Sequence, residues 1–230
     1  MNIQGLQKMT LLDFPGKVAC TVFLGGCDLR CPFCHNSDLI GGNAPTVLDD
    51  EGLLAFLKKR QGLLDGVAFT GGEPLLRSEL KELIVKIRAL GFAVKLDTNG
   101  THPARLRELL EEKLVDYVAM DIKNSPARYG ETVGVANIDL APIRESVKLL
   151  MASGIPYEFR TTVVAEFHDD ASFEEMGQWV AGAERFYLQR FTDRESVLTG
   201  GLHAPEKADM ERFAAILRKT VRFVELRGVD

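Results

Sequence analysis

No stretch of this 230-residue sequence approaches the roughly 20 consecutive apolar residues that a membrane-spanning helix needs. The opening MNIQGLQKMT has neither the basic start nor the long apolar core of a signal peptide. Linkers, repeats and low-complexity tracts are missing as well. Neither sign of charge dominates: 28 Lys and Arg stand against 33 Asp and Glu, a net of −5, which gives no basic surplus for nucleic acid. Cysteine is scarce, with four residues, and three of them fall in the single run CDLRCPFC. A disulfide framework spreads its cysteines along a small secreted chain, so a disulfide-stapled fold is excluded. The expectation is a cytoplasmic protein with no membrane and no nucleic-acid partner.

What is present is an ordinary globular composition, 46% hydrophobic and 27% charged, arranged as alternating β-rich and helical segments. The β-rich runs are 18–24, 66–71, 93–98, 117–123, 157–164 and 185–191. Between them lie helical stripes such as Leu76, Leu80, Leu83, Ile87 and Leu90, or Ile143, Val147, Leu150 and Met151, or Met210, Phe213 and Leu217. Trp179, with Phe173, Met176 and Val180, reads as another core stripe. Strand–helix alternation implies a parallel sheet with right-handed crossovers. Six β/α units are too few for a closed eight-fold barrel. The predicted fold is therefore α/β: a partial, open TIM-like (β/α)6 barrel, with residues 1–230 as a single domain.

Strand alternation separates two faces. Val94 and Leu96 oppose Lys95 and Asp97; Val118, Met120 and Ile122 oppose Ala119, Asp121 and Lys123; Phe159 and Thr161 oppose Arg160 and Thr162. One face suits covering helices, and the other carries charge, which suggests either a polar cavity or an internal ion-pair network of Asp97, Asp121, Lys123 and Arg160. The polar motifs follow or end strands: CDLRCPFCHN after the first, TGGEP at the second, DTNG at the third and MDIK at the fourth. In parallel α/β folds these carboxyl ends are where ligands bind.

Cys27, Cys31 and Cys34, spaced C-x3-C-x2-C, supply three thiolates, one fewer than an iron–sulfur cluster or a structural zinc usually takes. Cys20 falls on the helix-packed face and reads as a buried thiol. A rival reading adds His35 to the three cysteines as a zinc site. His168-Asp169-Asp170 reads as a helix cap, and His102-Pro103 as a helix start.

CDLRCPFCHN and TGGEP together resemble the cluster motif and glycine motif of radical S-adenosylmethionine enzymes. LDTNG, MDIK, FRTTVV and the opening GLQKMTLLDFPGKVACTVFLGGC resemble the glycyl-radical-enzyme activating subgroup, above all the activating proteins of anaerobic ribonucleoside-triphosphate reductase and, next to them, of pyruvate formate-lyase. The resemblance implies a [4Fe-4S] cluster on Cys27, Cys31 and Cys34 with one iron open to S-adenosylmethionine. It implies that Gly71, Gly72 and Glu73 meet the methionine amino group and that Lys123 pairs with the carboxylate. Asp97, Thr98 and Asp121 would lie beside them, where relatives hold a monovalent cation. Arg160 would face the ribose or methionine part, and His35 and Asn36 the adenosine. Gln189 stands where some relatives carry His, so its role is open. The implied activity is abstraction of a hydrogen from a glycine of a partner glycyl radical enzyme, with anaerobic ribonucleotide reductase as first choice and flavodoxin or ferredoxin as electron donor. A radical S-adenosylmethionine enzyme for a formate-lyase-type partner or a small molecule, and a zinc-binding non-enzymatic protein, are the alternatives.

Overall fold

A computed structural model describes residues 1–229. In chain order the elements are β1 (Asn2–Ile3), β2 (Gly5–Thr10), β3 (Ala19–Leu24), β4 (Leu48–Asp49), α1 (Asp50–Lys58), β5 (Gly66–Gly71), α2 (Leu80–Ala89), β6 (Ala93–Thr98), α3 (Pro103–Glu111), β7 (Tyr117–Asp121), α4 (Tyr129–Thr132), α5 (Ala141–Ala152), β8 (Tyr157–Val163), α6 (Asp170–Trp179), β9 (Arg185–Arg190), α7 (Lys207–Leu217) and β10 (Phe223–Arg227). The main sheet has eight strands in the order β10-β9-β8-β7-β6-β5-β3-β2. All neighbours are parallel except β2, which runs antiparallel to β3. The sheet is a partial barrel: β2 and β10 are its two edges and do not pair with each other. Among the described residues, no helix is long and apolar enough to cross a membrane.

All six sequence-predicted strands form, within two residues of the expected bounds. The sheet departs from the expected wholly parallel one at its margins. GLQKMT in β2 exposes three of its six side chains, so no buried alternation marks it as a strand. The short β10 follows α7 and adds one more parallel strand at the other edge.

Helices cover the outer face because each strand sends its apolar residues there. Val94, Leu96, Val118, Met120, Phe159, Phe186 and Leu188 are fully buried in one continuous core with Leu83, Ile87, Leu106, Ile143, Leu150, Phe173 and Leu217 from the helices. Cys20 belongs to the same core, as its position in the strand predicted. Helix starts are fixed by aspartates: Asp49 accepts from Gly52 N at 2.8 Å at the start of α1. Asp169 does the same from Ser172 N at 2.8 Å at the start of α6, so the expected cap is Asp169 itself.

The inner face is built in layers. At the floor, Phe14 packs against Tyr117 with ring centroids 6.3 Å apart, beside Ala19, Ala93 and Ala119. Small residues are required here, since a Cβ on Gly66 would stand 2.9 Å from Phe14 Cε1. Next to this plug lies Glu158, 1% exposed. It accepts from Tyr117 Oη at 2.8 Å and, bidentately, from Arg227 Nη1 and Nη2 at 2.9 and 3.0 Å. The Arg227 guanidinium also lies 3.5 Å from the centroid of Tyr187. The edge strand β10 is thus tied through the barrel interior to β7, β8 and β9.

A buried carboxylate stripped of its cationic partner is costly. Arg227→Ala is expected to destabilise the protein by about 3 kcal/mol. The double variant Arg227→Met with Glu158→Gln should recover most of that loss. Urea denaturation of the three proteins checks both; equal losses in single and double variants would show that the pair carries no coupling.

Candidate active site

The cysteine run leaves β3 through Gly25 and Gly26, the latter with φ +91°. Between the cysteines, Leu29 and Phe33 are buried and anchor the loop, Phe33 against Phe167 at 5.9 Å. Arg30 N donates to Val133 O at 2.8 Å, and Cys34 N to Cys31 O at 3.0 Å. With these anchors turned inward, all three thiols line one cavity of about 540 Å³ at the carboxyl ends of the strands. Burial pushes the Cys27 thiol up to about 11 and the Cys31 thiol up to about 12. Both therefore need a metal to be held as thiolates. Cys20 is sealed in the core on the other face of β3, its pKa also pushed up to about 12 by burial.

The glycine motif docks on this loop. Gly72 N donates to Leu24 O at 2.8 Å, and Glu73 N to Gly26 O at 2.7 Å. A Cβ on Gly71 would stand 2.4 Å from Leu24 O, and one on Gly72 would stand 2.1 Å from Gly26 O. Both glycines are needed for backbone to meet backbone, and both line the cavity. The structure differs from expectation at Glu73, which is 0% exposed and does not line the cavity. Its Oε1 accepts from Leu75 N and Thr98 Oγ1, each at 2.9 Å, and its Oε2 from Asn99 N at 2.7 Å. These bonds make the carboxylate a brace between the loops next to the two glycines.

The same cavity is lined by a charged cluster. Arg160 Nε donates to Asp121 Oδ1 at 2.9 Å and Arg160 Nη1 to Asp97 Oδ2 at 3.2 Å. Lys123 Nζ donates to Asp121 Oδ2 at 2.9 Å, and Lys95 pairs with Asp97. Three cations against two carboxylates leave one positive charge in the network. Burial opposes ionisation of Asp121, yet Arg160 and Lys123 hold its pKa down to about 2. Asp97 is likewise lowered, with Arg160 and Lys95 outweighing burial. The predicted ion-pair network and the predicted polar cavity are the same object.

The remaining predicted residues converge on this cavity. Asn36 lines it and donates through Nδ2 to Gly71 O at 3.0 Å. His35 lines it with its ring stacked on Phe191 at 5.6 Å and Nε2 2.7 Å from Thr192 O, which commits that nitrogen away from the thiols. Thr98 and Gln189 line it from the ends of β6 and β9. Sequence reasoning missed Asn99, Thr162 and Arg194, which also line it. Asn99 was visible within DTNG, whereas Arg194 lies in an irregular segment that carries no motif. That segment is tied to the cysteine loop by Ser37 Oγ donating to Ser196 O at 2.6 Å and Thr199 N to Pro32 O at 2.9 Å. His168 plays a supporting part: Nε2 contacts Lys123 O at 2.9 Å and Nδ1 accepts from Val164 N at 3.2 Å. Burial pushes its pKa down and keeps the ring neutral.

Among the described residues, no group of three or more His, Cys, Asp or Glu side chains is placed to share a single metal ion. Three cysteines on one cavity are the ligand type of an iron–sulfur cluster, with one position left for another ligand. Lys123 and Arg160 on the same cavity suit a ligand carboxylate. A partial barrel whose strand ends bring three cysteines and a charged cluster to one cavity has the architecture of a ligand-binding α/β enzyme.

The Radical SAM superfamily profile matches residues 21–180, and the chain belongs to that superfamily. It is 28% identical over 243 aligned positions to a protein of Methanocaldococcus jannaschii provisionally named a glycyl-radical enzyme activating enzyme, covering 99% of this chain and 96% of that one. It is 36% identical over 128 positions to the pyruvate formate-lyase-activating enzyme of Clostridium pasteurianum, covering 54% and 52%. It is 31% identical over 215 positions to the 7-carboxy-7-deazaguanine synthase of Methanopyrus kandleri, covering 85% and 80%. The fold is shared with a domain of the pyruvate-formate lyase-activating enzyme from Bacteroides vulgatus, with TM-score 0.58, 18% identity and coverage of 71% and 99%. It is also shared with Streptococcus suis SuiB bound to S-adenosylmethionine, with TM-score 0.68, 14% identity and coverage of 90% and 52%.

Because the folded-state pKa of Asp121 is depressed, its contribution to stability is full above its ordinary value near 4 and is lost as pH falls towards 2. That contribution is roughly 2 kcal/mol. Asp121→Asn should therefore cost at least this much at pH 7, and the gap to wild type should narrow between about pH 4 and pH 2. Urea titrations of both proteins across this range test it; a gap independent of pH would show that Asp121 is not held ionised by Arg160 and Lys123.

Proposed function

We propose that this protein is an activase: it reductively cleaves S-adenosylmethionine and removes a hydrogen atom from a backbone glycine of a partner glycyl radical enzyme. The observation that carries the proposal is that the three-cysteine loop and a net-positive Asp–Lys–Arg network line one cavity. When bound, the [4Fe-4S] cluster and S-adenosylmethionine supply the electron and the 5′-deoxyadenosyl radical, chemistry that protein side chains cannot provide. The chain's own part is to bind, orient and shield.

Cys27, Cys31 and Cys34 would hold the cluster, and the backbone of Gly71 and Gly72 would border the methionine amino group. Lys123 keeps two ammonium hydrogens beyond its bond to Asp121 and would meet the carboxylate. Arg160 stays rigid because Asp97 and Asp121 hold it from two sides. His35 and Asn36 would border the adenosine, and Thr98 and Gln189 would border the ligand from the ends of β6 and β9. A monovalent cation at Asp97 and Asp121 would share oxygens that already accept from Lys123 and Arg160. The surplus positive charge serves a ligand carboxylate without it.

Support for a protein substrate comes from the open sheet and from the end-to-end match with the M. jannaschii protein. In this proposal residues 1–230 work as one radical SAM domain in the cytoplasm. Anaerobic ribonucleotide reductase is the first-choice partner, a formate-lyase-type enzyme the second, and a flavodoxin or ferredoxin the electron donor. A second reading, a small-molecule radical SAM enzyme, is favoured by the 31% identity to the M. kandleri synthase over most of both chains.

Reconstituted anaerobically with iron and sulfide, then given dithionite and S-adenosylmethionine, the protein should release 5′-deoxyadenosine, and Cys31→Ala should fall to background. Mass spectrometry reads the product. An electron paramagnetic resonance signal on added anaerobic ribonucleotide reductase separates the activase from the small-molecule enzyme. Zinc in place of iron after reconstitution would overturn both readings.

A further inference from the structure

Asn99 sits where three loops meet, and it is 6% exposed. Its backbone N–H donates to Glu73 Oε2 at 2.7 Å, joining the end of β6 to the glycine motif. Its side-chain oxygen accepts from Thr101 N at 3.0 Å and from Thr101 Oγ1 at 2.7 Å. With that oxygen taken by two donors, the amide orientation is fixed by its partners, and the NH2 must turn the other way. There Nδ2 donates to Asp28 Oδ1 at 2.8 Å and stands 3.9 Å from Cys27 Sγ. The second Asp28 oxygen lies 3.3 Å from His102 Nε2. Cys27 Sγ also accepts from Leu29 N at 3.4 Å, a contact set by the loop backbone.

We propose that Asn99 is a positioning residue that sets the reduction potential of the cluster on Cys27, by donating to the Cys27 sulfur and by bonding the Asp28 oxygen that lies beside it. The proposal rests on the reading that Cys27, Cys31 and Cys34 carry an iron–sulfur cluster. Hydrogen bonds to cluster sulfurs and nearby charge are what tune such potentials. An N–H aimed at sulfur stabilises the reduced, more negative state and raises the potential. A free carboxylate beside the same sulfur stabilises the oxidised state and lowers it. Asp28 directly follows Cys27, and its Oδ1, the oxygen bonded by Asn99, lies 4.0 Å from the Cys27 sulfur, so its charge is felt there and the Asn99 bond partly offsets it. Asn99 does both jobs with one NH2 group. The Leu29 donor cannot be varied by a side chain, whereas the Asn99 donor can.

The experiment uses the full chain, reconstituted anaerobically, as wild type, Asn99→Ala, Asp28→Asn and the double variant. Iron and sulfide content and S-adenosylmethionine cleavage by wild type are measured first; their failure sinks the cluster reading itself. The one-electron midpoint potential is then read by mediated redox titration with paramagnetic resonance of the reduced cluster. Asn99→Ala keeps the backbone bond to Glu73 and should move the midpoint lower, with about tenfold less cluster reduced at a fixed potential, equivalent to 59 mV for one electron. Asp28→Asn should move it higher. The double variant should return most of the way to wild type, because the Asn99 effect travels largely through the Asp28 charge. An unchanged midpoint in Asn99→Ala, or the same shift with and without the Asp28 charge, overturns the proposal. Should Asn99→Ala fail to load iron, Asp28→Asn probes the same contact from its other end, and an unchanged midpoint there overturns it equally.

Discussion

A single buried carboxylate organises the mouth of this barrel. Glu73 has no access to solvent, and each of its oxygens is used: Leu75 N and Thr98 Oγ1 on one, Asn99 N on the other. Burial pushes its pKa up to about 7, against the pull of those donors. Around this point the second strand's glycine turn, the third strand's terminal loop and the cysteine loop are brought into register. The thiols share one cavity with the Asp–Lys–Arg network because the loops carrying them are bolted together.

Polar groups in a barrel interior must find partners, and here they do so in layers. Hydrophobic residues and small alanines close the floor, a Glu–Arg–Tyr set occupies one side above it, and the Asp–Lys–Arg network meets the cavity. Only the upper layer leaves hydrogen-bonding capacity for a ligand. This division explains how one strand such as β8 can carry both Glu158, whose oxygens are taken by the protein, and Arg160, which lines the cavity. Their places along the strand, two residues apart on one face, decide which layer each enters.

Most of the fold and much of the site were legible in the sequence because period-two alternation is a local signal. Lys95 and Asp97, or Asp121 and Lys123, declare a charged face without reference to anything distant. The cysteine spacing and the DTNG and MDIK endings point to one end of the sheet for the same reason. What stayed hidden depends on contacts far along the chain. The bracing role of Glu73 rests on donors, Thr98 and Asn99, that lie more than twenty residues away. β2 escaped because an exposed edge strand has no buried stripe, and Arg194 because an irregular segment has no period. His168 was assigned with the helix cap next to it, while its ring reaches back to the Lys123 carbonyl.

The bond between Arg227 and Glu158 has a consequence in time as well as in space. The two residues are 69 positions apart, and Arg227 lies in the last strand of the sheet. At a synthesis rate of about 5–20 residues per second, the Glu158 carboxylate is made several seconds before the arginine that neutralises it. Until then β7 and β8 cannot settle around an ionised acid without leaving it unpaired. Neutralisation of Glu158 thus waits on a strand made 69 residues later in the chain.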